Sequence, residues 1–390
     1  MKLFVQPGDG LMPMVRAIQR AKTSVEILVF RFDRTEIERA LAAAVTRGVS
    51  VHALIAHTSR AGEQSLRNLE MRLLAAGVTV TRTARDLARY HGKMMIVDRR
   101  ELWVFTFNYT YLDIERSRSF GIVTTQRALL QEAQRLFDAD SKRRPYDPGS
   151  PTFVVSPTNA RKELAAFIKG AQKQLLIYDP TISDPAMQRI LEERAKAGVD
   201  VRVLGRITSG SNKLAAARPP LRLHARAMAR DGMHIFMGSQ SLRRVELDSR
   251  REIGIICRDD SIARRLIAVF EEDWSQAEHA KAQDAKDDAA AGSKVAKRVA
   301  KAVAKDLPPV APVLKVVIRE LTGDNSGVDV SAEEVGDSVR HAVKAAVKEV
   351  VQNVIEDAQE QKEEQQEAER LEQEEEQQEA ELAETPKKSS

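Results

Sequence analysis

Repetition constrains this chain before composition does, because two copies of one unit must fold alike and can then pack as a pair. Near the start, Phe4-Val5-Gln6-Pro7 leads into a helical stretch, the apolar run AKTSVEILVF and a second helix ending in RGVSVHALI. From Val154 the order returns as VVSP, a helical stretch, AQKQLLIYDP and a helix ending in AGVDVRVLG. Pro7 and Pro157, Ala21 and Ala171, Leu41 and Leu191, and Gly48 and Gly198 stand 150 positions apart. The offset then changes once and holds at 133, linking His91 to His224, Asp98 to Asp231 and Gly121 to Gly254. The second copy has therefore lost 17 residues between Gly198 and His224. There the first copy carries a helix (about Gln64 to Ala75) and a strand (Val78 to Val80), read as edge elements that the second copy does without.

Each copy alternates apolar, β-rich runs with Ala/Leu/Arg-rich helical stretches, the pattern of strands buried between helical layers. The copies occupy 1–145 and 152–278, joined by RRPYDPGSPT, whose three prolines and one glycine suit a connector. The expected fold is α/β: two fused repeats in a pseudo-two-fold β-sheet/helix sandwich that places equivalent residues across one cleft. A helical, charged and partly disordered extension, 279–390, is expected to follow. In it Val295, Val299 and Val303 form a narrow stripe on a basic helix, suited to a membrane surface or to a solvated linker. Ser331 to Glu334 is a capping-box pattern, and Leu371 and Leu382 are too sparse for a coiled-coil seam.

Charge divides along the same boundary. Residues 356–384 carry −12 of an overall +4, which leaves +16 on the rest. A basic body favours an anionic partner such as a phosphate ester, a nucleic acid or an anionic lipid surface. The single Cys257 excludes an intrachain disulfide and a cysteine-built zinc site. MKLFVQPGDG lacks a basic segment followed by an apolar one, and no run of 18 apolar residues occurs. The expectation is a soluble, cytoplasmic protein, with peripheral contact to an anionic membrane open to it.

The pattern that bears chemistry is YHGKMMIVD, an HxKxxxxD motif of His91, Lys93 and Asp98. On a strand His91 and Lys93 would share a face, and a histidine beside a fixed cation suits a phosphate that is both bound and attacked. Thr106 and Asn108 would add neutral donors from one face of the next strand. The matching positions in copy two hold His224, Arg226 and Asp231, then Ser239 and Ser241. Alone, His91 reads as a hydrogen-bonded core histidine; paired with His224 at a constant offset, it reads as functional. Glu252 reads equally as a structural partner for an arginine and as a catalytic group. His52 and His234, inside apolar strands, read as structural, and His57 at a strand end as a cleft residue of lower rank.

These residues resemble the phospholipase D superfamily, the HKD phosphodiesterases, over both repeats, on HGKMMIVD, HARAMARD, the GSQS segment at 238–241 and RREIGI. The resemblance implies that two motifs meet to form one active site, in which one histidine attacks phosphorus and the other protonates the leaving alcohol. By analogy His91 is the nucleophile and His224 the general acid/base, the reverse fitting the sequence equally well. Lys93 and Arg226 would hold phosphoryl oxygens; Asn108, Thr106, Ser239, Ser241 and Glu252 would support the phosphate; Asp98 and Asp231 would orient the site. The mechanism implies no metal and no cofactor. A phospholipid is the leading substrate, with nucleic acid and a non-catalytic anion-binding role as alternatives, and one chain supplies both halves as a monomer. The departures are Arg226 for lysine, Ser241 for asparagine, Ser119 opposite Glu252, and Phe105 where glycine is usual. Arg226 keeps the charge but not the shape, and a side chain at 105 is expected to block close backbone approach or to tilt the strand.

Overall fold

The computed structural model describes residues 1–57, 63–208 and 214–288; the valine stripe, the capping-box pattern and the acidic segment lie outside them. In the first repeat the chain runs β1 (Lys2–Gln6), α1 (Met12–Arg20), β2 (Ser24–Val29), α2 (Thr35–Thr46), β3 (Ser50–Ile55), α3 (Glu63–Ala75), β4 (Thr79–Arg82), β5 (Arg89–Tyr90), β6 (Met94–Val97), β7 (Glu101–Phe105), α4 (Tyr111–Glu115), β8 (Ser117–Thr124) and α5 (Arg127–Ser141). The second repeat runs β9 (Phe153–Val155), α6 (Ala160–Lys169), β10 (Gln174–Ile182), α7 (Pro185–Lys196), β11 (Asp200–Ile207), β12 (Ala215–Ala217), β13 (Arg222–Leu223), β14 (Ala227–Arg230), β15 (His234–Gly238), α8 (Arg244–Asp248), β16 (Arg250–Arg251), β17 (Ile253–Arg258) and α9 (Asp260–Asp288). Local chemistry sets several of these boundaries. Pro185 opens α7, for example, and the Asp184 carboxylate accepts from Met187 N at 2.9 Å, a cap that satisfies one orphan donor.

Two sheets share one strand order. The first reads β1-β8-β7-β6-β2-β3-β4 and the second β9-β17-β15-β14-β10-β11-β12. In each, the apolar central strands pair in parallel, β2 with β3 and β10 with β11, and the hairpins on the other side pair antiparallel. The edge of the second sheet departs from expectation. A three-residue strand, β12, pairs in parallel with β11 as β4 does with β3, so the edge strand survives. What the shorter copy lacks is room for the 13-residue α3, since a backbone pairing needs only a few residues and a helix needs many.

Each sheet buries its outer face under its own helices: Ile18, Leu41 and Leu69 cover the first, Leu164 and Leu191 the second. Their inner faces meet in one continuous core, in which Met94, Val104 and Phe120 of the first repeat join Ala227, Met237 and Ile253 of the second, flanked by α5 and α9. No helix among the described residues is long and apolar enough to cross a membrane.

The repeats also exchange short strands. Arg89–Tyr90 pairs in parallel with Arg250–Arg251, and Arg222–Leu223 with Ser117–Arg118, the two contacts being related by the 133-residue offset. Buried ion pairs reinforce the exchange. Arg118 forks onto Asp273 at 2.7 and 2.9 Å and donates to Gln6 O, while Arg251 lies 3.2 Å from Asp140 and donates to Ser156 O. Removing one partner leaves the other charge buried, so Asp273→Ala should cost about 3–5 kcal/mol. Glu38→Ala, which breaks an exposed pair with Arg72, should cost under about 1 kcal/mol. Denaturant unfolding of both variants checks the contrast.

Asp98 and Asp231 sit in tight turns with φ of 52° and 51°, a conformation aspartate tolerates. Each carboxylate accepts three consecutive backbone N–H groups, from Lys22, Thr23 and Ser24 in one repeat and Gln172, Lys173 and Gln174 in the other. These bonds hold both carboxyls below their ordinary range despite the opposing effect of burial. Asp98→Ala should therefore lose about 1–2 kcal/mol at neutral pH. Because the folded value is depressed, the difference from wild type should shrink as pH falls below about 4, where the native carboxylate also protonates; urea titrations across that range read it.

Candidate active site

His91 and Lys93 are not on a strand, as the alternation predicts, but in the extended link between β5 and β6. The link crosses from one repeat to the other. His91 N donates to Arg251 O at 2.8 Å, and Lys93 O accepts from Phe105 N at 3.0 Å. His224 N likewise donates to Arg118 O at 3.0 Å, and Arg226 O accepts from Gly238 N at 3.1 Å. Each histidine is thus anchored to the other repeat and each cation to its own sheet. The approach is close: a Cβ on Gly92 would lie 2.5 Å from Ile253 Cδ1, so only glycine fits between His91 and Lys93 without displacement.

One pair of cations serves both imidazoles. Burial pushes His91 well below the usual imidazole range, and Lys93 and Arg226 are the two strongest charges acting in the same direction. Burial also takes His224 down to about 3; Asp113 opposes the shift, while Arg226, Arg222 and Lys93 add to it. Both rings are accordingly uncharged at neutral pH. His91 packs edge-on against Phe30, with centroids 4.6 Å apart, and its Nδ1 lies 3.0 and 3.1 Å from the two oxygens of Glu252. Burial lifts the Glu252 carboxyl to about 8 against the pull of Lys93. Lys93 Nζ donates to His91 O at 2.7 Å and lies 5.5 Å from the Phe30 centroid, a cation–π distance. Arg226 Nε donates to Ser241 Oγ at 3.1 Å, with Glu246 3.7 Å away.

The other predicted residues divide. Asn108 is buried at the His224 side; its Nδ2 donates to Asp113, and its Oδ1 has no hydrogen-bond partner among the described residues. Thr106 and Ser239 use their hydroxyls internally. Each accepts a backbone N–H, from Phe120 and Ile253; Thr106 donates to His224 O, and Ser239 bonds Glu252. Asp98 and Asp231 are not brought to the histidines. Their turns stand at the far ends of β6 and β14, where the backbone amides described above claim both carboxylates. His57 lines a separate cavity of about 420 Å³ with Arg82, Thr83, Ala84, Arg85 and Arg143.

Phe105 does not obstruct the site. Its ring faces the outer helical layer, 5.0 Å from Phe107 and 5.6 Å from Tyr109. Gly121 makes the space, since a Cβ there would lie 3.0 Å from the Phe105 ring. Val104 and Thr106, on the opposite face of the strand, look inward.

Several site residues escaped the sequence reading. Asp113 and Glu246, 133 apart, each receive a backbone N–H at the site, from Asn108 and Ser241 at 2.8 and 2.6 Å. Arg118 and Arg251 supply the carbonyls that hold the histidines. The constant offset alone would have paired these positions. Asp179, whose carboxyl burial lifts to about 7 near Glu246 and Arg226, had a weaker signal: an acid closing the apolar run LLIYD.

Residues 14–141 and 164–274 match the family described as cardiolipin synthase, PLD-like domain, together more than half of the chain. The mitochondrial cardiolipin hydrolase of Homo sapiens is 26% identical over 177 residues, 44% of this chain and 66% of that protein, just under two thirds of its length. Among solved structures, the polyphosphate kinase of Porphyromonas gingivalis aligns with a TM-score of 0.59 at 17% identity, over 69% of this chain and 49% of that one. The phosphatidylserine synthase of Haemophilus influenzae aligns with a TM-score of 0.50 at 10% identity, over 70% and 85%. At these identities the structures speak for the fold alone, whereas the family match spans both repeats: the chain belongs to the cardiolipin synthase, PLD-like domain family.

Proposed function

We propose that the protein is a phosphodiesterase that transfers the phosphoryl group of its substrate through a covalent phosphohistidine. The observation that carries this reading is that two imidazoles from different repeats lie in the field of the same buried Lys93 and Arg226. Two cations there neutralise a phosphodiester and stabilise the charge that builds on its oxygens during attack.

The two histidines are not equivalent, and their environments favour roles. His91 is uncharged, and Glu252, when ionised, accepts a hydrogen bond from Nδ1–H, which fixes the ring and leaves Nε2 as the nucleophile. Binding of the anionic phosphodiester offsets Lys93 and Arg226, and His224 takes up a proton from solvent at Nε2; His91 Nε2 then attacks phosphorus, the P–O bond to the leaving alcohol breaks, and His224 gives that oxygen its Nε2 proton. In the second step His224 takes a proton from water or an acceptor alcohol, whose oxygen displaces His91 from phosphorus. Lys93, Arg226 and Asn108 hold the non-bridging oxygens in this reading. The leading substrate is a phospholipid, a reading supported by the family description and by the name of the human relative. The basic body suits a lipid surface and a nucleic acid equally.

Trapping with a phosphodiester labelled at phosphorus should attach label to the wild type and none to His91→Asn. His224→Asn should lower turnover by about 10²–10⁴. A panel of phosphatidylcholine, phosphatidylglycerol, cardiolipin, DNA and RNA then assigns the substrate. Absence of both label and turnover across that panel overturns the reading.

The Glu252 carboxyl adds a pH signature. Protonated, it cannot accept from Nδ1–H, so kcat should rise with pH through about 8 as it ionises. In Glu252→Gln this limb should vanish, with kcat at pH 9 at least about tenfold below wild type. A limb unchanged in the variant would assign the titration elsewhere.

A further inference from the structure

Copy one lacks the carboxylate that copy two provides. Glu252 holds His91, but the position related to it by the 133-residue offset is Ser119, whose hydroxyl donates to Asp113 O and whose side chain carries no charge. His224 would then have no acidic partner from the place where His91 finds one. A different residue stands there instead: Asp113 Oδ2 is 3.5 Å from His224 Nδ1.

The surroundings of Asp113 have changed to match. Its counterpart Glu246 sits among arginines: Arg226 at 3.7 Å, Arg243 at 3.6 Å and Arg250 at 3.9 Å. The last two correspond in copy one to Thr110 and Ser117, so two guanidinium groups have been removed from around the acid. Glutamate has become aspartate, one methylene shorter and more narrowly aimed. Asn108 donates to Oδ2 through both N and Nδ2, at 2.8 and 3.0 Å, and Arg222 donates to Oδ1 at 2.7 Å. Arg222 lies two residues before His224 and also donates to Ser117 Oγ at 2.8 Å, so the strand that leads into the histidine carries its own tie to the acid. The acid is buried, and Arg222 and these donors hold it well below the usual carboxylate range against the cost of burial, so that it is ionised.

We infer that Asp113 replaces the missing carboxylate: it is the positioning residue of His224, held in place by Arg222 and Asn108. At 3.5 Å the His224 Nδ1 has no hydrogen bond among the described residues, and a shift of about 0.5 Å would make one to Asp113. An ionised acid at Nδ1 favours the Nδ1–H form of the neutral ring. It also stabilises the imidazolium that forms when a second proton is taken up at Nε2, the proton a leaving alcohol requires. This inference rests on the phosphodiesterase reading for its catalytic meaning but not for its geometry.

Two measurements test it. In ¹⁵N spectra of the imidazole side chains, with the His224 signal identified by its loss in His224→Gln, the wild type should show the Nδ1–H tautomer and Asp113→Asn should lose that preference. An unchanged tautomer overturns the proposal, whether or not the protein turns over any substrate. The second compares phosphodiesters with a good leaving group, p-nitrophenol, and a poor one, a simple alcohol. Asp113→Asn should slow the alcohol ester at least about tenfold more than the p-nitrophenyl ester, because only the former needs a proton from His224. Equal loss on the two esters would mark a merely structural role and also overturns the proposal. Inactivity of the wild type on both esters would count against the phosphodiesterase reading alone, with the tautomer then deciding the role of Asp113.

Discussion

Everything at the site depends on two hydrogen bonds that cross between the repeats, from His91 N to Arg251 O and from His224 N to Arg118 O. Each follows a two-residue parallel pairing, too short to be stable by itself. The pairings persist because the sheets behind them share one apolar core and because Arg118 and Arg251, whose carbonyls accept the bonds, are pinned by Asp273 and Asp140. A displaced histidine would therefore require breaking a buried ion pair or opening the core. Gly92 records how closely the repeats approach, since nothing larger fits against Ile253.

On this symmetric frame the chemistry is asymmetric. A symmetric homodimer must carry the same residue at both equivalent positions, whereas a fused pair can change each alone. Glu252 faces Ser119 and Arg226 faces Lys93 across the 133-residue offset, and Asp179 faces Val29 across the 150-residue one. The result is two imidazoles with unlike partners: one bonded to a carboxyl that burial raises, the other near a carboxylate held ionised by arginine. The proposed division into attack and proton transfer calls for such a difference. The exchange of glycine for Phe105 belongs to another layer, where Gly121 yields the space and an aromatic cluster fills it.

The buried cations show which electrostatic effects dominate. Lys93 and Arg226 are 1% and 5% exposed, and charges so far from water persist only where carboxylates and fixed dipoles compensate them. His91 O, Glu252, Ser241 and Glu246 supply that compensation. Asp98 and Asp231, although part of the same motif, act at a distance. By binding three backbone amides each, they lock the start of the central strand to the turn that ends the motif's own strand. They thereby set where β6 and β14 lie, and through them the strand ends from which Lys93 and Arg226 extend.

The duplication, the α/β layering, the pairing of His91 with His224 and the presence of two cations were all legible from residue types and a constant offset, because hydrophobic period and repetition are properties of the linear chain. The edge strand β12 was not, since three alanines carry no signal until β11 offers them a partner. Nor was the destination of Asp98, because a carboxylate next to a motif histidine in sequence is separated from it by the length of a strand in space. The contact of Asp113 with His224 was invisible for the opposite reason: 111 positions apart in the chain, the two come within 3.5 Å only after the repeats have folded onto each other. Sequence by itself determined which motif residues the chain carries and that it carries them twice. Which acid lies beside which histidine was decided by tertiary structure alone, because the neighbours come from different repeats and no linear spacing encodes a contact across a pseudo-two-fold axis.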